Sequence, residues 1–317
     1  MIKDVAKKVI SKAIYSKPIA KESTYVFDNR KLDSQKLLYI LAGYKEKVWN
    51  KVFNRVKKFV PKDIDVCIVS SGVISTELRD ISRKNGWSYL GLKRNNISQA
   101  QNTVISIFKS AKYIIKMDED IFITKNSIQT LIGDFCKIQK SSKYKVKAIA
   151  PLININGLTY IDVLRRFNAL NDYERRFGKA YVGGQFKLRQ YEKIETSADV
   201  AGYMWGEDGT LPTIDKMNEL LQNDGNTKDN NLNYFLACAR FSIGLIMITR
   251  DFWETMGKYK VRRFLSDFAI DEEQINSNAM LLSHPIIIDK KVIVGHLGFG
   301  GQTDAMLELY DKRNDLF

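Results

Sequence analysis

Apolar positions in the first third of the chain alternate between two rhythms. KLLYILAGY (36–44) is a continuous apolar run of strand length, and EKVWNKVFNRVKKFV (46–60) spaces Val48, Val52, Val56 and Val60 four apart, as a helix does. DVCIVSSGV (65–73) is a second strand run ending in a Ser-Ser-Gly turn. STELRDISRKNG (75–86) is a short helix stopped by Gly86, and WSYLGL (87–92) is a third strand. SQAQNTVISIFKSA (98–111) is a helix, and YIIKMDEDIFI (113–123) is a fourth strand run broken by acids. Strands that alternate with helices predict an α/β fold with a mostly parallel sheet. Continuous apolar strands predict a sheet covered on both faces.

The pattern weakens afterwards. Residues 154–235 are rich in Gly and Asn, notably QNDGNTKDNNLN (222–233), and predict an irregular region. Regular structure is expected again at FSIGLIMITRDFWETMG (241–257) and HPIIIDKKVIVGH (284–296). At the other end, Ile2, Val5, Val9, Ala13, Ile10 and Ile14 share one face of a predicted helix over residues 1–20. Lys3, Lys7, Lys8 and Lys12 lie largely off that face. Two uses fit this arm: docking on an anionic membrane, or packing on the core or a second subunit.

Composition changes the picture little. The chain has 317 residues, 44% of them hydrophobic, enough to bury a sizeable core. No apolar run is long enough to cross a bilayer, and the lysine-broken N-terminus lacks the apolar stretch of a secretory signal. A cytoplasmic protein is expected, with residues 1–20 as the part that would meet the inner face of the membrane. Cys67, Cys136 and Cys238 are too far apart for a zinc site or a disulfide framework. The net charge of +14 suggests an anionic partner: nucleic acid, lipid or a phosphorylated substrate. A plain lysine bias across the surface explains it equally well.

The candidate chemistry lies in two acidic clusters. In MDEDI (117–121) an apolar strand runs straight into Asp118, Glu119 and Asp120. Alternation puts Asp118 and Asp120 on one side of an extended chain, where they repel unless a cation joins them. A hard ion such as Mn2+ or Mg2+ does this while bridging substrate phosphates. Ligands of parallel sheets bind beyond the carboxyl ends of the strands, where this cluster falls.

With that context, NNISQAQNTVISIFKSAKYIIKMDED (95–120) resembles the donor-binding half of the GT-A glycosyltransferases, especially the family 2 type. Asn95, Ala100 and Asn102 stand where that pattern has Asn, Ala and Asn. The resemblance covers residues 36–125 and returns at 241–296. It implies a GT-A domain over 35–300, with a donor-binding half (35–125) and an acceptor-binding half (126–300). A basic amphipathic arm (1–34) precedes it and a C-terminal tail (301–317) follows. By the same resemblance Asp120 binds the metal, Asp118 contacts the ribose or the metal through water, and Glu119 belongs to the nucleotide site. Asn95, Ser71 and Tyr44 also fall there, Tyr44 as a ring that stacks on the base. The chain departs from the family at Ser70-Ser71-Gly72-Val73, where members often carry an Asp that holds the base.

FLSDFAIDEEQI (264–275) resembles the family's acceptor-side acidic motif, which makes Asp271, Glu272 and Glu273 the candidates for the general base, Asp271 or Glu272 before Glu273. MWGEDG (204–209) contains a similar Gly-Glu-Asp, with Asp208 as second choice, but it precedes the strand that the family places before its motif. His296 closes the run KVIVGH and stands where many GT-A enzymes place a metal-binding histidine, with the turn 298–301 and a basic tail behind it. His284 precedes a proline and reads as structural.

The implied activity is metal-dependent, inverting transfer of a sugar from a nucleoside-diphosphate sugar to a hydroxyl of a glycan or lipid-linked acceptor, as in polysaccharide biosynthesis. The alternatives are a nucleic-acid-directed metal-dependent protein and a nucleotidyltransferase. No nucleic-acid-binding motif is present, so no nucleic-acid partner is expected.

Overall fold

A computed structural model describes residues 17–182, 193–223, 233–261 and 270–317. Most of the predicted arm helix (1–20), most of the segment 222–233 and part of 264–275 lie outside them. Among the described residues there are ten strands: β1 (Tyr25–Asp28), β2 (Lys36–Leu41), β3 (Asp65–Ser71), β4 (Ser88–Leu92), β5 (Tyr113–Asp118), β6 (Ile121–Phe122), β7 (Ala148–Ile153), β8 (Tyr234–Leu236), β9 (Leu245–Thr249) and β10 (Ile286–His296).

The chain divides into two compact units. The first comprises Met1–Tyr44, Lys62–Glu119 and Met247–Leu282; the second comprises Lys45–Pro61, Asp120–Ile246 and Ser283–Phe317. These are not the sequence halves 35–125 and 126–300. The helix Glu46–Phe59 belongs with the later segments, and the stretch from Met247 onward belongs with the early strands.

In the first unit β4, β3, β2 and β5 lie side by side and parallel, and β1 closes the edge antiparallel to β4. Every residue of β3 is buried, as expected of a strand with both faces covered. The helix Thr76–Asn85 starts at Ser75, whose Oγ accepts from Leu78 N at 3.1 Å, and ends at Gly86 in the left-handed region (φ 72°). Asn96 caps the helix Ile97–Ile107 by accepting from Gln99 N at 2.8 Å. Arg250 closes the other end of that helix, donating to the carbonyls of Ile105, Phe108 and Ala111.

In the second unit β7 and β10 are parallel, while β6 and β8 pair antiparallel with β10. The register of β10 shifts between Asp289 and Ile293. The run 113–123 is therefore two strands, because Ile121 and Phe122 leave the line of β5 to pair with His296 and Gly295.

Two sequence expectations change here. Residues 154–235 are not mainly irregular: they hold the helices Tyr160–Arg166, Leu170–Phe177, Lys193–Thr196, Ala198–Met204 and Ile214–Asn223. Tyr160, Tyr173, Phe177 and Tyr203 pack ring against ring at 5.2–5.9 Å between centroids, so burial of aromatics organises this region. The segment 301–317 is not a basic tail. It carries four acids (Asp304, Glu308, Asp311, Asp315) against Lys312 and Arg313. It forms the helix Thr303–Lys312 and ends on Phe317, 2% exposed, against Trp205, Phe122 and Tyr310. Among the described residues no helix is long and apolar enough to cross a membrane.

Candidate functional site

In the second unit β10 ends at His296, and the chain around it fixes the imidazole from several sides. His296 N donates to Asn154 Oδ1 at 2.8 Å, and its carbonyl accepts from Trp205 Nε1 at 2.9 Å. Gly295 makes room for that indole: a Cβ there would lie 2.2 Å from Trp205 Cη2. The ring nitrogen Nδ1 is 2.9 Å from the Ile155 carbonyl, which can only accept, so Nδ1 carries the proton. The other nitrogen, Nε2, then points a lone pair or a second proton at Asp120 Oδ2, 3.3 Å away.

Asp120 is 3% exposed and just outside β5. Its carbonyl accepts from Leu297 N at 3.0 Å, and its carboxylate also receives Lys45 Nζ. Burial by itself would raise the Asp120 pKa, but the charges and hydrogen bonds of His296 and Lys45 outweigh it and hold the carboxyl well below the usual carboxylate range. Of Asp118, Asp120 and His296, the three residues the sequence places at the metal, Asp120 and His296 lie against each other here. Lys45 is not among them, because it looks like any other of the 50 Lys and Arg residues.

The donor set suits a divalent ion. A carboxylate oxygen and an imidazole nitrogen with its second nitrogen locked on a carbonyl are ligands that Mn2+ accepts. Among the described residues no three His, Cys, Asp or Glu side chains gather around one point. Two protein ligands are enough for an ion that completes its shell with phosphate oxygens and water.

The first unit holds a different cluster. Lys116 stands inside the apolar strand β5, 4% exposed, with Nζ 2.7 Å from Asp118 Oδ2. Burial opposes its charge, yet Asp118, Asp271 and Glu272 together raise its pKa. Asp118 pairs directly with this buried cation, and the two predicted base candidates lie within reach of its charge. Asp271 Oδ2 accepts from Gln101 Nε2 at 2.8 Å, and Gln101 Oε1 accepts from the Tyr39 hydroxyl at 2.7 Å. Asp271 and Glu272 are both 7% exposed, whereas Glu273 faces solvent. The signal for Lys116 was present in the sequence: it is the one charge within YIIKM, next to the acids.

A third grouping lies at the carboxyl ends of β2 and β3. Glu119 accepts from Gly43 N at 2.9 Å and from Tyr44 N at 3.1 Å, so its carboxylate holds the turn after β2. Tyr44 is 63% exposed and its hydroxyl donates to the Ser71 carbonyl at 2.9 Å, leaving the ring open to solvent. Ser71 Oγ accepts from Asn96 N at 2.6 Å. Asn95 is exposed and lies close to Gly72, where a Cβ would come within 2.7 Å of its own Cβ. Gly72 has φ 84°, which suits glycine at this approach. Asp208, the second-choice base, is tied to Arg176 and to Thr210 N at the surface of the second unit.

No protein-family model matches the chain, and no curated protein sequence matches it. Solved structures do resemble it at low identity. It is similar to the mannosyltransferase PcManGT from Pyrobaculum calidifontis in complex with GDP-Man and Mn2+, at 11% identity and a TM-score of 0.46, over 92% of this chain and 64% of that one. It is similar to GalNAc-T7 with UDP, GalNAc and Mn2+, at 14% identity and a TM-score of 0.47, over 84% and 44%. It is also similar to glucosyl-3-phosphoglycerate synthase from Mycobacterium tuberculosis with Mn2+, UDP-glucose and phosphoglyceric acid, at 9% identity and a TM-score of 0.44, over 86% and 76%. The chain thus spans less than two thirds of the length of the first two.

Proposed function

We propose that the protein is a metal-dependent glycosyltransferase that moves a sugar from a nucleoside-diphosphate sugar to a hydroxyl group. The observation that carries this is the pair Asp120 and His296. A nearly buried carboxylate just beyond a parallel strand faces an imidazole whose far nitrogen is fixed on Ile155. That is a two-ligand metal site of the sort that shares its ion with a diphosphate. The ion would neutralise the charge that builds on the leaving diphosphate.

The chain's own residues do the rest. Asp271 or Glu272 takes the proton of the acceptor hydroxyl as its oxygen bonds to the anomeric carbon. The bond from that carbon to the diphosphate breaks in the same step, which inverts the centre. Lys116 supplies a buried positive charge on the side of the two acids, and Gln101 donates a hydrogen bond to Asp271 Oδ2 that orients it. The exposed Tyr44 ring offers a stacking face for the base. The acceptor we propose is a glycan or a lipid-linked sugar, met in the cytoplasm, with residues 1–20 as a peripheral membrane contact.

Incubation with UDP-, GDP- and CDP-sugars, with Mn2+ or Mg2+, tests this directly. The expected product is a nucleoside diphosphate, formed only with metal. Release of pyrophosphate from a nucleoside triphosphate and a sugar phosphate instead identifies a nucleotidyltransferase, and metal-dependent cleavage of an added nucleic acid identifies the other alternative. Once a donor is known, Asp271→Asn or Glu272→Gln is expected to lower kcat about 10²- to 10⁴-fold, the usual contribution of general-base catalysis. Donor affinity should stay within a factor of about two, since the base acts on the acceptor. If Asp208→Asn slows turnover and neither of the others does, the base is misassigned.

A further inference from the structure

The proposed function leaves Lys45 without a task, although it touches the proposed metal ligand Asp120. Its ammonium lies on Asp120 Oδ2, the same oxygen that His296 Nε2 approaches at 3.3 Å. Asp120 has 4% of its side chain exposed and Lys45 has 23%, so the ammonium reaches a buried carboxylate from the solvent side. A divalent ion bound by Asp120 and His296 would need that oxygen. Two cations then compete for one carboxylate at close range, and the singly charged, flexibly tethered one gives way.

Lys45 immediately precedes the helix Glu46–Phe59, which has no side-chain cap among the described residues. A phosphate that reached the displaced ammonium would also meet the first turn of that helix, whose N-terminal end favours an anion.

We propose that Lys45 is a resident counter-cation of Asp120 which the metal displaces onto the donor's diphosphate, so that metal and nucleotide binding reinforce each other. This inference rests on Asp120 and His296 being metal ligands. With no metal, Lys45 neutralises Asp120 and keeps the buried carboxylate from standing unpaired. With the metal alone, the ammonium is expelled, which weakens metal binding. With a diphosphate present, the expelled ammonium finds a new anion, and that cost disappears. The coupling is reciprocal: whatever factor the nucleotide adds to metal affinity, the metal adds to nucleotide affinity.

The test is Mn2+ binding to the full chain, followed by the electron paramagnetic resonance of free Mn2+, without nucleotide and with saturating UDP or GDP. The neutral variant Lys45→Met is expected to bind Mn2+ alone about tenfold more tightly than the natural protein, within the usual range of coupling between sites. The gain in Mn2+ affinity on adding nucleotide should shrink by a similar factor. Lys45→Arg, which keeps the charge, should retain most of that gain. Circular dichroism melts of each variant confirm that the fold is intact.

If Lys45→Met binds Mn2+ alone no more tightly than the natural protein, Lys45 does not compete with the metal. If its nucleotide-induced gain is unchanged, the ammonium does not move to the diphosphate. Either result overturns the proposal while leaving the metal site standing. If Asp120→Asn binds Mn2+ as well as the natural protein does, the metal site itself is wrong, and this inference falls with it.

Discussion

Replacing Asp120 by Asn is expected to abolish sugar transfer, by a factor of about 10³ or more, while the fold survives. A bound divalent ion supplies several kcal/mol of transition-state stabilisation, and each 1.36 kcal/mol is tenfold in rate. Asparagine keeps the shape and one acceptor oxygen but removes the charge that makes this carboxylate a ligand. The hydrogen bond from Leu297 N uses the Asp120 carbonyl, so the backbone loses nothing. His296→Ala is expected to act in the same direction and to leave the strand pairing of His296 with Ile121 intact. Kinetics with and without added metal check this. Turnover within threefold of the natural protein, still dependent on Mn2+, would remove Asp120 from the site.

The second large effect concerns stability and lies away from the proposed chemistry. Asp289, on β10 at the register shift, is 2% exposed. Its Oδ1 accepts from Lys291 N at 2.9 Å, and its Oδ2 is buried without a hydrogen-bond partner among the described residues. Burial, and to a lesser degree the neighbouring Asp134, pushes its pKa up to about 7, against the smaller opposing pull of the Lys291 amide and of nearby lysines.

A folded-state pKa above the unfolded value means that the folded protein holds this proton more tightly. The contribution is therefore fully present below about pH 4, and it is lost as pH rises to about 7. Three pH units correspond to about 4 kcal/mol at most. In Asp289→Asn this pH-dependent loss is absent. The unfolding free energy of the variant minus that of the natural protein should therefore rise by about 2–4 kcal/mol between pH 4 and pH 8. The buried amide of Asn has an unmet donor that costs about 1–3 kcal/mol, but this offset is the same at both pH values. Urea unfolding at the two pH values measures the change. A difference between the two proteins that does not vary with pH means that Asp289 titrates normally.

Much of the first unit can be read directly from the chain. Its strands are unbroken apolar runs, and its helices carry strong boundary residues such as Ser75, Gly86 and Asn96. The outline of the site is legible for the same reason: Asp120 follows an apolar strand, and His296 ends one. What escapes is whatever depends on partners distant in sequence. Lys45 matters only because Asp120, 75 residues on, lies against it. Lys116 is intelligible only with its ion-pair partner Asp118 and the more distant charges of Asp271 and Glu272. The helices between 160 and 223 are short, and three of them are held together by aromatic contacts such as Tyr173 on Tyr203. Phe317 reads as the end of a loose tail until Trp205 is found 4.2 Å from its ring centre. Local pattern specifies elements, while the polar groups that perform chemistry are chosen by tertiary neighbours.

The central claim is that Asp120 and His296 hold a divalent ion shared with a nucleoside diphosphate. Isothermal titration of UDP and GDP into the natural protein, with Mn2+ and then with excess EDTA, tests it most directly. The account predicts that at least one of the two nucleotides binds at least tenfold more tightly with Mn2+ than with EDTA, as expected for a coupling free energy above about 1.4 kcal/mol. It also predicts that Asp120→Asn removes this difference. Equal affinity with Mn2+ and with EDTA, or a metal effect that persists in Asp120→Asn, would contradict it.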